Sequence, residues 1–186
     1  MDALAGTSPR RLARIAGAPY LVNIVGGAFA IGVVRSTLVE SGDVAYLLDG
    51  DNIRHGLSDD LGFSAGDRAE NIRRVGHLTR LFADAGVVAL ASLVSPLRSD
   101  REIARTLSDA AKLPFMEVHV ATSLAECERR DPKGLYARAR AGELKGLTGV
   151  DAPYEPPENP DLVLDTAGAD IDQLAAQVIE LLNRRR

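Results

Sequence analysis

Short apolar segments alternate with longer amphipathic segments along this chain, and this alternation restricts its fold more than any other feature. Five segments are rich in Val, Ile and Leu, as is typical of strands buried on both faces of a parallel sheet: residues 20–25, 44–48, 87–93, 115–120 and 161–164. Segments with helical periodicity lie between them. The order predicts an α/β protein with a mainly parallel five-stranded sheet and right-handed crossovers. In such sheets the ligand site lies at the carboxyl ends of the strands.

Several helix ends are marked by capping residues. Asp67 begins a sequence typical of a capping box, and Gly86 is placed to terminate the same helix. Ser95 followed by Pro96 predicts an N-cap and a first helical residue. Asp170 marks the start of the last helix. We therefore expect helices after the second, third and fifth strands.

Length and composition bound the class of protein. The chain has 186 residues, of which 46% are hydrophobic and 26% charged, and this balance predicts one globular domain over residues 1–186. The formal net charge of −4 argues against a nucleic-acid polymer as partner. The apolar run 87–94 is too short to cross a membrane, and residues 1–14 lack the apolar core of a signal peptide. A single cysteine, Cys127, fits a reducing cytoplasm.

Two carboxylates follow the second predicted strand. Asp49 and Asp51 lie where that strand ends, at the edge of the sheet where the ligand site is expected. Asp is uncommon inside strands, so the pair predicts either a turn or a functional site, and its position alone favours neither.

Arginine and asparagine side chains follow the acidic pair closely. Guanidinium groups match the oxygens of phosphate and sulfate, and Asn amides add donors; the candidates are Asn52, Arg54, Arg68 and Asn71. Arg68 is placed in the first turn of a helix, where backbone N–H groups also favour an anion. For Arg73, a solvent-exposed helix face is the better interpretation. Together the four candidates predict an anion-binding site.

An aromatic side chain and a basic segment complete the candidate site. Phe63 lies in a polar loop bounded by glycine, where an aromatic ring is either a core plug or a stacking surface for a base. Residues 129–145 are polar and positive and hold two of the three lysines of the chain. A basic insert beyond the end of a strand predicts a lid that closes over phosphates, the alternative being a surface helix with exposed charges.

A set of motifs resembles the adenylylsulfate kinase (APS kinase) family. The motifs follow the family order over about residues 42–166: DGDNIRHGL at 49–57, DLGFS at 60–64, DR at 67–68, ENIRR at 70–74, LFADAG at 81–86, SP at 95–96, DPKGLY at 131–136, ARAGE at 139–143 and TGVDAPYE at 148–155. No single motif is specific, but the set is. The resemblance implies a three-layer P-loop kinase-like fold, a helical lid over residues 129–150 and an N-terminal extension over residues 1–19.

The resemblance also implies an activity and the residues that carry it. Members of the family transfer the γ-phosphate of ATP to the 3′-hydroxyl of adenylylsulfate, which yields 3′-phosphoadenylylsulfate in sulfate assimilation. Asp51 is implied to act as a base or to orient the 3′-hydroxyl, and Asp49 to help hold Mg²⁺ through water. Ser95 matches a serine described as a phosphorylated intermediate, although in-line transfer needs none.

Further substrate-binding residues follow from the same resemblance. Phe63 matches the residue that stacks on the adenine. Gly146 and Leu147 match a pair in which the family usually has Phe, so one wall of that stack is missing. The remaining matches to substrate-binding residues are Asn52, Arg54, Arg68, Asn71, Val94, Ser95 and the lid residue Lys133.

The chain departs from the family at the phosphate-binding loop. The motif G-x-x-x-x-G-K-[ST] follows the first strand of such kinases, where its Lys neutralises phosphate charge and its hydroxyl binds Mg²⁺. With Gly27 and Gly32 as the two glycines, Val33 and Val34 replace the Lys and the Ser/Thr. A frame based on Arg35 places other residues at both glycine positions, although Arg35 itself is a candidate for the phosphate charge. The nucleotide-binding candidates are therefore Gly27, Gly32 and Arg35.

The distribution of lysine offers no local substitute for the missing charge. Of the 22 basic residues only three are Lys, and none precedes Lys112. A buried strand, turn and short helix that bind no ATP are therefore the better interpretation of residues 26–37.

Three hypotheses remain open on the sequence. The first is an APS kinase that uses ATP and Mg²⁺, with activity reduced by the missing lysine. The second is a non-catalytic relative that binds adenylylsulfate or a sulfurylase-type partner such as ATP sulfurylase. The third is an error in the sequence of residues 26–41, because the departure is local and abrupt. The family also implies a homodimer.

Overall fold

The structure is a computed structural model that describes residues 21–25 and 29–185. The predicted N-terminal extension (residues 1–19) and Gly27 lie outside the described residues.

A five-stranded parallel sheet forms the centre of the described part of the chain. Its spatial order is β2-β3-β1-β4-β5, and every strand pair in it is parallel. The strands are β1 (Leu21–Val25), β2 (Ala45–Asp49), β3 (Val88–Leu93), β4 (Phe115–Val120) and β5 (Leu162–Leu164). All five predicted strands are present, each within one residue of its expected ends. The interior strand β3 is buried along its whole length, as a continuous apolar run predicts, whereas Tyr46 of β2 and Val163 of β5 are about half exposed because these two strands lie at the edges of the sheet.

Helices cover both faces of the sheet. They are α1 (Phe29–Glu40), α2 (Gly50–Arg54), α3 (Ala65–Asp84), α4 (Arg98–Ala110), α5 (Leu124–Arg130), α6 (Leu135–Arg140) and α7 (Ile171–Arg184). α1 and α7 pack together on one face, while α3 and α4 pack together on the other. The predicted three-layer α/β fold is confirmed.

Alternating side chains of β3 join the two cores. Leu90 packs with Val34 of α1 in the first core, and Leu93 packs with Ile72 of α3 in the second. All six residues of β3 are buried, since helices lie above and below this strand. The two cores fix the sheet edge at which β2 and β3 end.

Two capping predictions are wrong and two are confirmed. The N-cap of α3 is Ser64, whose hydroxyl accepts a hydrogen bond from the Asp67 amide, so Asp67 is the third helical residue and not the cap. Ser95 is not an N-cap either, because α4 begins three residues later, at Arg98. Gly86 ends the α3 turn with a φ of 85°, and Asp170 caps α7. The local pattern identified both helices correctly and misplaced their first residues.

The connection between β1 and α1 is too short for the kinase loop motif. β1 ends at Val25 and α1 begins at Phe29, so three residues separate them, whereas G-x-x-x-x-G-K-[ST] spans eight. Gly32 lies inside α1, so the frame in which Gly27 and Gly32 are both loop glycines does not fit this helix. Arg35 lies on α1 and is exposed.

Candidate active site

A cavity of about 280 Å³, lined by both charged and apolar side chains, opens at the carboxyl ends of β2 and β3. This is the edge at which an open parallel sheet is expected to bind its ligand. Eight predicted site residues line it: Asp49, Asp51, Arg54, Phe63, Arg68, Asn71, Val94 and Ser95. Asn52 is exposed and does not line the cavity, and neither do Lys133, Gly146 and Leu147, which lie in the predicted lid segment.

Asp49 ends β2 and caps the short helix α2. Its Oδ1 accepts hydrogen bonds from the amides of Asp51 (3.0 Å) and Asn52 (3.3 Å). The cap turns the chain sharply, which places Asp51 at the cavity. The turn and the functional site, which the sequence left as alternatives, therefore occur together: Asp49 forms the turn that positions Asp51.

The lid contacts the acidic pair through Lys133. Its Nζ lies 2.5 Å from Asp51 Oδ2, and both side chains are largely exposed. The hydrogen bond to Asp51 raises the pKa of Lys133, with smaller contributions from the charges of Asp51 and Asp49. Gly134, with a φ of 65°, begins α6 directly after this lysine. The basic insert thus reaches the mouth of the cavity.

Arg54 and Phe63 form one wall of the cavity. The guanidinium carbon of Arg54 lies 4.4 Å from the centre of the Phe63 ring, and its Nη1 donates to the Gly62 carbonyl at 2.8 Å. Burial lowers the pKa of Arg54, and the neighbouring charge of Arg68 lowers it further. Phe63 is 68% exposed, so this ring is not a core plug and presents a face for stacking.

Arg68 connects the cavity to the lid. Nε donates to the Phe63 carbonyl at 3.0 Å, Nη1 to Thr148 Oγ1 at 2.9 Å and Nη2 to the Gly146 carbonyl at 2.6 Å. A second cavity of about 210 Å³ adjoins this contact and is lined by Phe63, Ala65, Arg68, Pro96, Leu97, Asp100, Gly146, Thr148, Ala152 and Pro153. Gly146 and the exposed Phe63 ring therefore line the same cavity.

Two buried polar side chains of the cavity lack partners. Asn71 and Ser95 are 4% and 2% exposed, and neither Asn71 Oδ1 nor Ser95 Oγ has a hydrogen-bond partner among the described residues. Ser95 also has a φ of 39°, and Arg101 Nη1 donates to its carbonyl at 2.8 Å. Unpaired buried polar atoms and a strained backbone are features of functional sites.

Arg73 and Arg74, which also follow the acidic pair, lie outside the cavity. Arg73 pairs with Glu70 at 2.7 Å on the surface of α3, which agrees with the exposed helix face expected for it. Arg74 pairs with Asp60 at 2.6 Å and with Glu70 at 2.9 Å, and so holds the loop before α3.

Sequence reasoning assigned no role to Thr148 or Arg101. Thr148 begins one of the motifs quoted above, but its partner Arg68 lies 80 residues away in the chain. Arg101 is buried and contacts both Ser95 and Glu155, a contact that its position on α4 could not have indicated. A buried arginine is uncommon, yet nothing in the local pattern marks this one as buried.

Neither a clustered metal site nor a membrane span occurs in the described part of the chain. No group of three or more His, Cys, Asp or Glu side chains among these residues could hold a metal ion. None of the described helices is both long and apolar enough to cross a membrane.

The sheet order, the two helical layers and the cavity at the strand ends, with a basic segment at its mouth, define a P-loop kinase-like protein. The family profile described as adenylylsulphate kinase matches residues 26–165. The chain belongs to the adenylylsulphate kinase family.

Relatives of known name agree with this assignment. An adenylyl-sulfate kinase of Prochlorococcus marinus is 57% identical over 145 residues, which cover 78% of this chain and 71% of that protein. The bifunctional enzyme CysN/CysC of Mycobacterium tuberculosis is 53% identical over 150 residues, 81% of this chain but 24% of that protein.

A solved structure supports the fold. The Mycobacterium tuberculosis APS kinase CysC in complex with AMPPNP and APS superimposes with a TM-score of 0.85 at 47% identity, over 90% of this chain and 99% of that chain. The predicted three-layer P-loop kinase-like fold is thereby confirmed.

Proposed function

We propose that this chain is an adenylylsulfate kinase, which transfers the γ-phosphate of ATP to the 3′-hydroxyl of adenylylsulfate. The observation that carries this proposal is the cavity at the ends of β2 and β3, where Asp51, two arginines and an exposed phenylalanine meet in a protein of this family. The Mycobacterium tuberculosis relative was solved with APS and the ATP analogue AMPPNP, which supports the same pair of substrates here.

The acceptor substrate fits the chemistry of the cavity. Arg54 and Arg68 supply positive charge for the phosphosulfate group, and the exposed ring of Phe63 supplies a stacking surface for the adenine. Asn71 Oδ1 and Ser95 Oγ are buried polar atoms without partners among the described residues; once the side chains adjust, Asn71 Oδ1 can accept from a ribose hydroxyl and Ser95 Oγ can donate to a phosphosulfate oxygen. Val94 also lines this cavity. Gly146 lines the adjoining cavity together with Phe63 and so lies near the proposed adenine position.

Asp51 is the proposed catalytic residue for the acceptor hydroxyl. Phosphoryl transfer depends mainly on positioning and on charge stabilisation, so the task of Asp51 is to orient the 3′-hydroxyl and accept its proton. The O3′–Pγ bond forms as the bond from Pγ to the β-phosphate oxygen breaks, and ADP leaves. Lys133, whose raised pKa keeps it protonated, then offers its charge to the phosphates at the cavity mouth. No covalent intermediate on Ser95 is needed for this in-line step.

The acidic pair also fits Mg²⁺ brought in with ATP. Proteins commonly hold this ion by one or two carboxylates plus substrate phosphates, and Asp49 keeps its Oδ2 outside its two capping hydrogen bonds. Bound there, Mg²⁺ would neutralise charge on the β- and γ-phosphates. Asp49 would help to hold the ion through water, while Asp51 faces the acceptor hydroxyl.

The segment that would bind ATP, the phosphate donor, supports a second candidate function. The three-residue connection between β1 and α1 and the absence of Lys before Lys112 favour a relative that binds adenylylsulfate without transferring phosphate. Such a protein would act by holding adenylylsulfate for a sulfurylase-type partner. The presence of an adenylylsulphate kinase segment within the bifunctional CysN/CysC chain supports association of this kind.

Separate titrations distinguish the two functions. We expect calorimetry to show tighter binding of adenylylsulfate than of ATP, because the cavity at the ends of β2 and β3 contains Arg54 and Arg68, whereas the loop motif for ATP is missing. We expect 3′-phosphoadenylylsulfate to form in the presence of ATP and Mg²⁺ if the chain is a kinase. Binding of adenylylsulfate without any product would establish the second function, and tighter binding of ATP would contradict our account of the cavity.

A matched pair of arginine variants locates the anion site. Arg68→Ala should weaken adenylylsulfate binding by roughly 1.5–3 kcal/mol, the effect of losing a hydrogen bond to a charged group. Arg73→Ala removes an arginine of the same helix that lies outside the cavity and whose ion-pair partner among the described residues is Glu70, so binding should stay unchanged. Equal losses in the two variants would show that general positive charge, and not Arg68, attracts the substrate.

The partner, the oligomeric state and the compartment remain proposals. We propose a homodimer, ATP sulfurylase as the partner enzyme and the cytoplasm as the compartment, with residues 1–186 forming one domain and residues 129–150 its lid. Light scattering coupled to size-exclusion chromatography measures the mass of the species alone and with a sulfurylase. A mass that corresponds to one copy of this chain would exclude the homodimer.

A further inference from the structure

Arg68 is held mainly by the lid and not by its own helix. Two of its three hydrogen bonds run to Gly146 and Thr148, about 80 residues further along the chain, and the third runs to the loop carbonyl of Phe63. A guanidinium group has five N–H donors, so two remain for a ligand. The direction in which those two point is set by the partners of the other three.

Arg68 donates hydrogen bonds to a turn formed by residues 146–151 at the end of the lid. We call this segment the 146–151 turn. The Asp151 carboxylate accepts hydrogen bonds from the amides of Gly146 (2.8 Å) and Leu147 (2.7 Å). These backbone hydrogen bonds hold the pKa of Asp151 below its ordinary value. Gly146 and Gly149 adopt φ values of 76° and 85°, which favour glycine. The turn thus presents one carbonyl and one hydroxyl to Arg68.

Thr148 supplies the only side-chain hydrogen-bond partner of Arg68 among the described residues. Its Oγ1 lies 2.9 Å from Nη1 in a half-buried position. Thr148 lines the second cavity and does not line the cavity that contains Asp51. It therefore reaches the anion site through the arginine and not directly.

We propose that Thr148 is a positioning residue that orients Arg68 toward the anionic part of the acceptor substrate. This inference rests on the proposed function for the identity of that substrate, and it deepens the same site. The hydroxyl of Thr148 and the carbonyl of Gly146 fix the plane of the guanidinium group, and the Asp151 carboxylate fixes the turn that carries both. Substrate affinity consequently depends on a side chain of the lid that lies outside the anion site.

Two substitutions separate the hydroxyl from the shape of the side chain. Thr148→Val keeps the volume and removes the acceptor, while Thr148→Ser keeps the acceptor and removes a methyl group. We expect T148V to raise both the KM and the Kd for adenylylsulfate about tenfold, with kcat within twofold and the KM for ATP unchanged. T148S should restore values close to those of the parent. Thr106→Val, on the exposed surface of α4, is the matched control and should change nothing.

A readout that needs no turnover keeps the inference separate from the proposed function. In ¹⁵N-labelled protein without substrate, the Nη1–H signal of Arg68, assigned by its loss in Arg68→Lys, should be protected from exchange in the parent and in T148S, because Nη1 is the atom that donates to Thr148 Oγ1. In T148V this protection should fall severalfold. If T148V does not fold, Thr148→Ala removes the same acceptor and takes its place.

The outcomes are distinct. Absence of product in the parent protein would contradict the proposed kinase activity, while the Arg68 signal and the Kd for adenylylsulfate would still decide the role of Thr148. If the parent bound no adenylylsulfate, the Arg68 signal alone would decide it. Equal effects of T148V and T148S, or an Arg68 signal unchanged in T148V, would overturn the inference, because the hydroxyl would then not orient the guanidinium group.

Discussion

At the scale of single residues, the contact between Asp51 and Lys133 has more to do with function than with stability. Both side chains are more than 60% exposed, and exposed ion pairs contribute little to folding. The pair instead places a lid cation directly on the proposed base. A substrate hydroxyl that binds to Asp51 must share or displace this contact, so lid position and substrate binding are linked.

The charge of Asp51 is expected to control turnover. Asp51→Asn preserves the shape of the side chain and removes both the negative charge and the proton acceptor, so product formation should fall about 10²-fold or more. Initial rates at saturating substrate measure this, with Asp59→Asn as the control because Asp59 is an exposed acid on the neighbouring loop outside the cavity. An unchanged rate in Asp51→Asn would remove Asp51 from the mechanism.

At the scale of elements, the length of the connection between β1 and α1 determines which substitutions could restore an ATP-binding loop. On the sequence frame with Gly27 and Gly32, Val33→Lys with Val34→Ser should restore part of the phosphate contacts. The structure places both residues inside α1, and Val34 is fully buried beside Leu38 in the core. Compared with the kinase motif, the chain therefore lacks loop residues between β1 and α1 as well as the positive charge of the lysine.

Two repairs are expected to behave differently. Replacing residues 26–28 by an eight-residue G-x-x-x-x-G-K-[ST] sequence should raise Mg²⁺-dependent ATP affinity and turnover. This sequence restores the backbone amides that bind phosphate and also the lysine that neutralises its charge. V33K/V34S should instead lose about 2–4 kcal/mol of stability, because a hydroxyl and a void enter the core, and should gain no ATP affinity. Calorimetry with ATP and chemical denaturation measure the two effects. A gain in ATP affinity for V33K/V34S alone would contradict the placement of these residues in α1.

The elements that the sequence predicts well are those defined by local patterns. All five strands follow from apolar runs, and the acidic pair, Arg54 and Phe63 reach the cavity because short segments carry them to the ends of β2 and β3. The contacts of Arg68 with Gly146 and Thr148 could not be predicted, since they join segments about 80 residues apart. Ser95 was misassigned as a cap because a Ser-Pro pair has the local pattern of one, while tertiary contacts with Arg101 determine its conformation.

At the scale of the whole molecule, paired glutamates predict how stability depends on pH. Hydrogen bonds from Arg73 and Arg74 lower the pKa of Glu70 to about 2, and those from Arg129 and Arg130 lower the pKa of Glu126 to about 2. The folded state therefore binds fewer protons than the unfolded state between these values and the ordinary pKa of 4.5. The stabilisation is complete above the unfolded pKa and is lost as the pH falls toward 2.

A thermal titration checks this pH dependence. The midpoint of unfolding should stay level from pH 8 to about pH 5 as far as these two groups determine it, and then fall steadily as the pH approaches 2. In Glu70→Gln/Glu126→Gln this fall should be smaller, while Glu102→Gln, an exposed control on α4, should follow the parent. Identical curves for the double variant and the parent would show that other carboxylates dominate acid unfolding.

Because the sequence contains only three lysines, chemical labelling of lysine can report on the contact between Asp51 and Lys133. An amine-reactive acylating reagent can modify only Lys112, Lys133 and Lys145 besides the terminal amine. Because the raised pKa and the hydrogen bond to Asp51 leave little free amine at Lys133, mass spectrometry of the digested protein should show slower acylation there than at the other two lysines, although all three are exposed. In Asp51→Asn the rate at Lys133 should rise toward theirs, and no change would mean that the lid does not rest on Asp51 in solution. The ratio of labelling at Lys133 to that at Lys112 would then follow lid position in the unmutated protein, without any assay of its product.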